Sequence, residues 1–386
     1  MRIGIVTPFA PEIFTSSLKQ EDYCAAALPS VQSLVHSFLQ NGHFVRIFTF
    51  TAIDKTYKEP NLEVYSIEAG FRGFKGQLLG IVPTLRLKSL VKHHVSDLDV
   101  VHAQWSYETA TAAMSVCHRL PVFHTIRDWA PTIYQFIPEG RDKELWALRK
   151  RMVKRVLNNK DIHTIANSKY THDLIQKDYG YDVPIIPNSV SDQFLLSTER
   201  QAPHDCSILC VTTNFDKRKN VETLVKAFSS FLSQKPDAKL TIITKYPEEQ
   251  TIANWRAAGL LRNVNILTNV AHSELIKYYD AAAFFVTPSK EETFGNTVIE
   301  SLARQVPVIG GEASGAIPWV LGDGSFGYLC DINSHDSLLQ TMLFVCDHPT
   351  EASQKALDGY EHVKEEFSEQ AIYKKHIDLY QKYVRR

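Results

Sequence analysis

The sequence has no uninterrupted apolar stretch near the ~20 residues that a membrane-spanning helix requires. It also has almost no net charge, with 42 Lys and Arg against 43 Asp and Glu. The first absence excludes a helical membrane span. The second removes the long-range attraction that drives nucleic-acid binding, so any membrane contact has to come from a local patch. Cysteine is sparse: Cys24, Cys117, Cys206, Cys210, Cys330 and Cys346 are scattered along the chain. Only Cys206 and Cys210 are close, and a CxxxC pair without a second ligand pair makes a poor zinc site. Reduced thiols in a cytoplasmic protein are expected. The start, Met1-Arg2-Ile3-Gly4-Ile5-Val6, enters a strand-like run with neither an apolar h-region nor a small-residue cleavage site, so no secretory signal is expected. There is no low-complexity tract and no strict repeat.

What is present is an ordinary globular composition, 44% hydrophobic and 22% charged over 386 residues. That length predicts two domains. Residues 3–7 read as a buried strand. Val31, Leu34, Val35, Phe38 and Leu39 then recur at helical spacing, and Asn41-Gly42 supplies C-cap chemistry. Residues 44–50, 100–102, 121–125, 162–166 and 183–186 read as strands with helical segments between most of them. The pattern restarts with a strand at 207–212, a helix at 221–232 and strands at 240–243, 264–267, 283–287 and 306–309. Strands alternating with helices imply parallel sheets covered on both faces, so the fold class is α/β with two doubly wound domains. The boundary is expected at Ile186-Pro187-Asn188-Ser189, giving domains 1–187 and 188–367. The charged helix 368–386 is expected to pack back on the first. Ligands of such sheets bind outside the carboxyl ends of the strands, and two such domains facing each other would form a cleft.

The segment Pro288-Ser289-Lys290-Glu291-Glu292-Thr293-Phe294-Gly295-Asn296-Thr297-Val298-Ile299-Glu300 follows a predicted strand and opens a helix. Gly295 permits a tight turn and a close ligand approach. The free amides of Gly295, Asn296 and Thr297 would then form a phosphate site at the helix N-terminus. Glu292 and Glu300 frame it with seven residues between them. Each can accept hydrogen bonds from hydroxyls of a ribose or a sugar. On spacing alone, a helix-capping Glu292 and a solvent-exposed Glu300 remain open. Lys217-Arg218-Lys219 after strand 207–212 is a cationic cluster suited to a phosphate ligand, or else a solvated turn.

These segments resemble the Glu-x7-Glu signature of glycosyltransferase family 4, retaining enzymes with the GT-B fold of two Rossmann-like domains. The resemblance extends to Gly42-His43-Phe44-Val45, Ile186-Pro187-Asn188-Ser189-Val190, residues 214–220, residues 311–319 and Phe326-Gly327-Tyr328-Leu329. It implies a sugar moved from a nucleotide diphosphate-sugar to a glycan or lipid-linked acceptor, with retention of anomeric configuration, in the manner of hexosyl-transferring enzymes of bacterial surface-polysaccharide synthesis. It further implies that Glu300 binds the donor ribose and Glu292 lies near the sugar hydroxyls. Phe294, Gly295, Asn296 and Thr297 would give amides to the diphosphate, and Lys219, with Arg218 beside it, would neutralise that group. His124, read as ending its strand, matches a family histidine near the transferred sugar, and Arg127 and Asp128 would orient the acceptor.

Three departures stand out. The loop after the first strand, from Pro8 to Pro29, has no Gly-Gly turn. Asn214 replaces a phosphate-binding arginine, and Gln305 stands where glycine is usual. No DxD motif stands at a strand end. Lys219 and the helix N-terminus can stabilise a leaving diphosphate, so metal-independent chemistry without a cofactor is expected. The donor is expected to be UDP- or GDP-linked and held by the second domain. The acceptor is expected to enter from the first, with closure excluding water. Same-face attack follows from the resemblance. The departures keep two alternatives in view, a non-catalytic nucleotide-sugar-binding scaffold and a GT-B nucleotide-sugar epimerase. On the acceptor side, residues 71–81 mix aromatics, cations and glycines, and residues 85–94 form a basic run. Helix 145–160 carries Arg149, Lys150, Arg151, Lys154 and Arg155 beside Leu148, Met152, Val153 and Val156. A helix of this kind either packs on the sheet or lies on the inner face of an anionic membrane.

Overall fold

The computed structural model describes residues 1–8, 29–51, 54–68, 81–198, 200–201, 203 and 205–384. The glycine-free loop is outside the described residues from 9 to 28, as are Cys24 and most of segment 71–81. The chain forms two compact units. One is built on Val31–Pro187, with the amino-terminal strand and the chain from Gln370 onward. The other is Asn188–Glu369.

The first unit holds a seven-stranded sheet among the described residues: β1 (Arg2–Val6), β2 (Phe44–Thr51), β3 (Lys55–Glu59), β4 (Leu62–Glu68), β5 (Val100–Gln104), β6 (Val122–Ile126) and β7 (Ile162–Ala166), in the order β3-β4-β2-β1-β5-β6-β7. All neighbours are parallel except β3, which runs antiparallel to β4. Every residue of β5 and β6 is buried, as expected of strands covered on both faces. The edge strand β3, Lys-Thr-Tyr-Lys-Glu, is exposed except at Tyr57. Its lysines discourage edge-to-edge pairing, and its polar make-up hid it from the apolar patterning. Residues 183–186, expected as a strand, contribute only the bridge Ala166–Ile185.

The helix Glu369–Gln381 belongs to this unit. Its buried line is Ile372, His376 and Tyr380, while Tyr383 beyond it is exposed. Tyr380 packs on Phe123 at 4.8 Å and on Phe38 at 6.1 Å. It is also hydrogen-bonded through its hydroxyl to His102 Nδ1 at 2.6 Å.

The second unit holds β8 (Ser207–Thr212), β9 (Lys239–Thr244), β10 (Val264–Thr268), β11 (Phe284–Val286), β12 (Val308–Gly311) and β13 (Tyr328–Cys330), all parallel, in the order β10-β9-β8-β11-β12-β13. From β8 the chain goes one way to β9 and β10, then returns to the other side of β8 with β11. The carboxyl ends of β8 and β11 therefore flank the point where strand order reverses, the place where loops diverge and leave a crevice. The thiols depart from expectation. Cys206, just before β8, is disulfide-bonded to Cys346, in the last turn of the helix His335–Asp347. With a sequence separation of 140 and 6.2 Å between their Cα atoms, the pairing is created by tertiary structure and has no local signature. Cys210 is buried inside β8, where burial pushes its thiol up to about 12.

Candidate functional site

The loops after β8 and β11 are stitched together. Asn220 takes a left-handed conformation (φ 55°) before the helix Val221–Phe231. Its Nδ2 donates to Pro288 O at 3.1 Å and to Ile332 O at 2.8 Å. Lys290 N donates to Arg218 O at 2.8 Å. Asn214 accepts from Asp216 N at 3.4 Å, and Asp216 accepts from Lys219 N at 2.8 Å. Asn214 thus shapes the turn that presents Lys219. Lys219 Nζ donates to Glu292 Oε1 at 2.6 Å, with side chains only 10% and 19% exposed. Burial works to raise the Glu292 carboxyl, but Lys219 and Arg218 outweigh it and hold the group below its ordinary range. Arg218 lies 3.5 Å from Glu291 Oε2, a carboxylate the sequence reading passed over.

Two glycines make the turn possible. Gly295 (φ 99°) precedes the helix Asn296–Ala303, and a Cβ there would sit 2.7 Å from Ile317 Cδ1. Gly315 (φ 63°) faces Glu292, whose carbonyl oxygen would be 2.3 Å from an added Cβ. Phe294 is buried against Phe367 and Trp319, with ring centroids at 5.4 and 6.3 Å, so its side chain is core and only its backbone faces the turn. The N–H groups of Gly295, Asn296 and Thr297 have no acceptor among the described residues. They form the cluster of donors that a helix N-terminus offers to an anion. The Asn296 side chain accepts from Asn188 Nδ2 at 2.8 Å.

Glu300 is 4% exposed. His272 Nε2 lies 2.9 Å from its Oε1, and the Tyr279 hydroxyl donates to Oε2 at 3.0 Å. A carboxylate has about four lone-pair sites, so two partners orient it and leave capacity for a further donor. Burial, followed by Glu300, pushes Tyr279 well above its ordinary range, so it stays a donor. Neither His272 nor Tyr279 had a signal in the sequence, since both lie in an earlier segment, 28 and 21 residues from Glu300.

In the first unit the carboxyl ends of β5 and β6 carry the other expected residues. The strand β6 runs to Ile126, so His124 lies within it and does not end it. Thr125 and Ile126 are β-branched and extend the strand. His124 is fully buried, and its Nε2 is hydrogen-bonded to Ser106 Oγ at 2.8 Å. Burial pushes it down to about 3, so the ring is neutral at pH 7. Its Nδ1 has no hydrogen-bond partner among the described residues. Arg127 and Asp128 are the residues that leave the strand. Arg127 Nε donates to Gln104 Oε1 at 2.9 Å, and burial draws its guanidinium down to about 9. Asp128 accepts from the Tyr107 hydroxyl. Trp105 follows β5 with φ 70°, a strained backbone of the kind that collects at functional sites. Gln104, Trp105, Ser106 and Tyr107 were missed. Their one sequence signal is the polar-aromatic run directly after a buried strand.

A Glycosyltransferase Family 4 model matches residues 30–194, and a Glycosyl transferases group 1 model matches residues 194–359. The chain is 24% identical over 374 residues to D-inositol 3-phosphate glycosyltransferase of Corynebacterium diphtheriae, covering 88% of this chain and 84% of that protein. It is 24% identical over 333 residues to alpha-monoglucosyldiacylglycerol synthase of Streptococcus pneumoniae, covering 80% and 70%. Among solved structures, sucrose-phosphate synthase from Thermosynechococcus elongatus superposes with a TM-score of 0.81 at 19% identity over 99% of both chains. HepE of Anabaena, solved with UDP, superposes with a TM-score of 0.68 at 14% identity over 99% of this chain and 100% of that one. Likeness at these identities speaks for the fold, which is GT-B, with two Rossmann-like domains.

Proposed function

Since the chain belongs to glycosyltransferase family 4 and is a retaining glycosyltransferase that moves a sugar from a nucleotide sugar to a glycan or lipid acceptor, we propose that its second unit binds the donor through Lys219, Arg218, the amides of Gly295–Thr297, and Glu300. The observation that carries this reading is the Lys219–Glu292 pair together with three amides that have no acceptor among the described residues, at the β8/β11 reversal. A diphosphate there takes Lys219 Nζ and the amides as donors. Glu292, repelled by phosphate, turns its acceptor oxygens to the sugar hydroxyls. Glu300, oriented by His272 and Tyr279, accepts from a ribose hydroxyl. The acceptor oxygen bonds the anomeric carbon on the face from which the phosphate oxygen departs, and that phosphate oxygen takes the acceptor's proton. Lys219 and the helix N-terminus stabilise the departing charge, so the reaction proceeds without a metal. In the first unit, Arg127 and Asp128 meet the acceptor, and His124 contributes through Nδ1, which has no partner among the described residues. Incubation with UDP- and GDP-hexoses plus glycan and glycolipid acceptors, in EDTA, tests this. An α-linked product from an α-linked donor is expected. An inverted linkage, or turnover only with Mg²⁺, contradicts it.

The donor is proposed to be UDP- or GDP-linked, and HepE, solved with UDP, supports the first. We also propose peripheral contact with an anionic membrane at its cytoplasmic face. On the helix Arg141–Leu157 the cations Arg151, Lys154 and Arg155 are exposed, while Val153, Val156 and Leu157 pack inward. The helix Ile81–His93 shares a groove with it and exposes Val82 (46%) and Leu85 (58%) beside Lys88. Cations around exposed aliphatics suit an anionic bilayer surface. Sedimentation with phosphatidylglycerol vesicles should recover the protein at low salt, and recovery only in the supernatant rules the contact out. Among the described residues no helix is long and apolar enough to cross a membrane.

A further inference from the structure

The first unit has a second recess that the transfer reaction does not use. It encloses about 410 Å³ beside β7, lined by Asn158, His163, Thr164, Tyr179, Tyr181 and Tyr383 among others. It flanks the amino-terminal half of β7, the opposite end of the parallel β6–β7 pair from the point where Arg127 leaves.

Its walls are fixed. Tyr179, the last residue of the helix Lys169–Tyr179, meets Trp129 edge-on at 6.2 Å. The Tyr181 hydroxyl donates to Leu157 O at 2.9 Å. The Tyr383 ring lies 3.9 Å from His163 and is 42% exposed. Burial lowers the His163 imidazole below its ordinary range, so it is neutral at pH 7, and neither of its nitrogens has a hydrogen-bond partner among the described residues.

The floor is an open sheet edge. Ala166 sends its N–H to Pro184 O at 3.0 Å and accepts from Ile186 N at 2.9 Å, on the side away from β6. Strand geometry repeats every second residue, so Thr164 and Ile162 present their N–H and C=O groups to that same side. No described residue pairs with them there. Main-chain donors and acceptors left open at a sheet edge are ready to pair with a ligand that enters the recess.

We propose that this recess is a saccharide-binding site, separate from the donor site in the second unit. A sugar hydroxyl both donates and accepts, which matches the paired N–H and C=O groups of the open edge and the neutral His163. The apolar face of a pyranose ring rests against tyrosine, whose ring is apolar and whose hydroxyl is polar. A volume of 410 Å³ lies within the ~300–1,000 Å³ of small-ligand pockets. A nucleotide is disfavoured, because among the described residues Lys160 is the one cation lining the recess and Asp182 lines it too. An added peptide strand is disfavoured as well. The free edge from Ile162 to Thr164 spans about 6.5 Å at ~3.3 Å per residue, and residues 184–186 close it beyond. The site would anchor a glycan chain on the enzyme away from the reacting end.

Native electrophoresis through gels containing soluble starch, dextran or galactomannan tests this. The wild type should be retarded by at least one polymer, equally in saturating UDP and in Lys219→Ala. Tyr383→Ala and Asn158→Ala should each weaken the retardation at least tenfold. Asn158 is exposed and its side chain has no hydrogen-bond partner among the described residues, so its variant decides the matter if Tyr383→Ala folds poorly. Absence of retardation by all three polymers, retardation undiminished in Asn158→Ala, or retardation abolished by UDP would each overturn the proposal.

Discussion

Lys219 and Glu292 are a largely buried ion pair whose partners depend on each other. Removing one leaves the other uncompensated, at a cost of up to about 3–5 kcal/mol, the value for a fully buried pair. Glu292→Gln keeps a neutral hydrogen-bond acceptor for Lys219 and should cost less than Lys219→Ala. The pair also sets a pH dependence. The Glu292 carboxyl titrates below its ordinary value of 4.5 in the folded chain. The stability it contributes is therefore complete above about pH 4.5 and lost as pH falls through the lower folded value. Chemical denaturation of wild type and Glu292→Gln should show a gap at pH 7 that narrows below pH 4.5. A pH-invariant gap would mean that the pair has no net electrostatic role. Arg127 makes a separable prediction. Arg127→Ala should lower transfer at least tenfold while leaving the thermal shift induced by nucleotide diphosphate unchanged. Loss of that shift would assign Arg127 to the donor.

At the scale of elements, the donor site depends on one strand–turn–helix: β11, the turn 287–295 and the helix Asn296–Ala303. Gly295→Ala would force a left-handed alanine against Ile317, a strain of about 1–3 kcal/mol, and would displace the amides. It should lower Tm and weaken nucleotide binding together. Weakened stability with unchanged binding would separate the turn from the ligand. This element was legible in the sequence because its information is local: an apolar strand, a glycine where φ must be positive, and Val298, Ile299 and Leu302 at helical spacing. What was not legible came from elsewhere in the chain. The partners of Glu300, His272 and Tyr279, lie 28 and 21 residues away, and no spacing rule links them. The end of β6 was misplaced because Thr125 and Ile126 extend a strand as readily as they begin a turn, which moved His124 from the strand end to its interior. The strand β3 escaped notice because an exposed edge has no apolar period, and the Cys206–Cys346 bond because closeness in space leaves no trace in spacing.

At the scale of the whole molecule, charge is buried unevenly. The first unit buries His102, His124 and His376, and burial holds all three below their ordinary value of 6.5, His124 at about 3 and His376 at about 4. The folded chain therefore binds fewer protons than the unfolded chain. Their contribution is complete above pH 6.5 and is lost as pH falls toward the folded values. Between pH 6.5 and 5, His124 and His376 are each worth on the order of 2 kcal/mol. Hydrogen exchange should show the first unit opening before the second as pH is lowered from 7 to 5. Simultaneous opening would contradict this. The central claim, a metal-independent diphosphate site on the second unit, is tested most directly by a thermal-shift titration. UDP, GDP and ADP, with and without Mg²⁺, are added to wild type and Lys219→Ala, each compared with its own unliganded Tm. Ligand at ~100 times its dissociation constant adds about 2.7 kcal/mol of stability. The account predicts that one diphosphate stabilises the wild type equally with and without metal, and that Lys219→Ala loses most of that gain. No stabilisation by any of the three, or an equal gain in the variant, would contradict it.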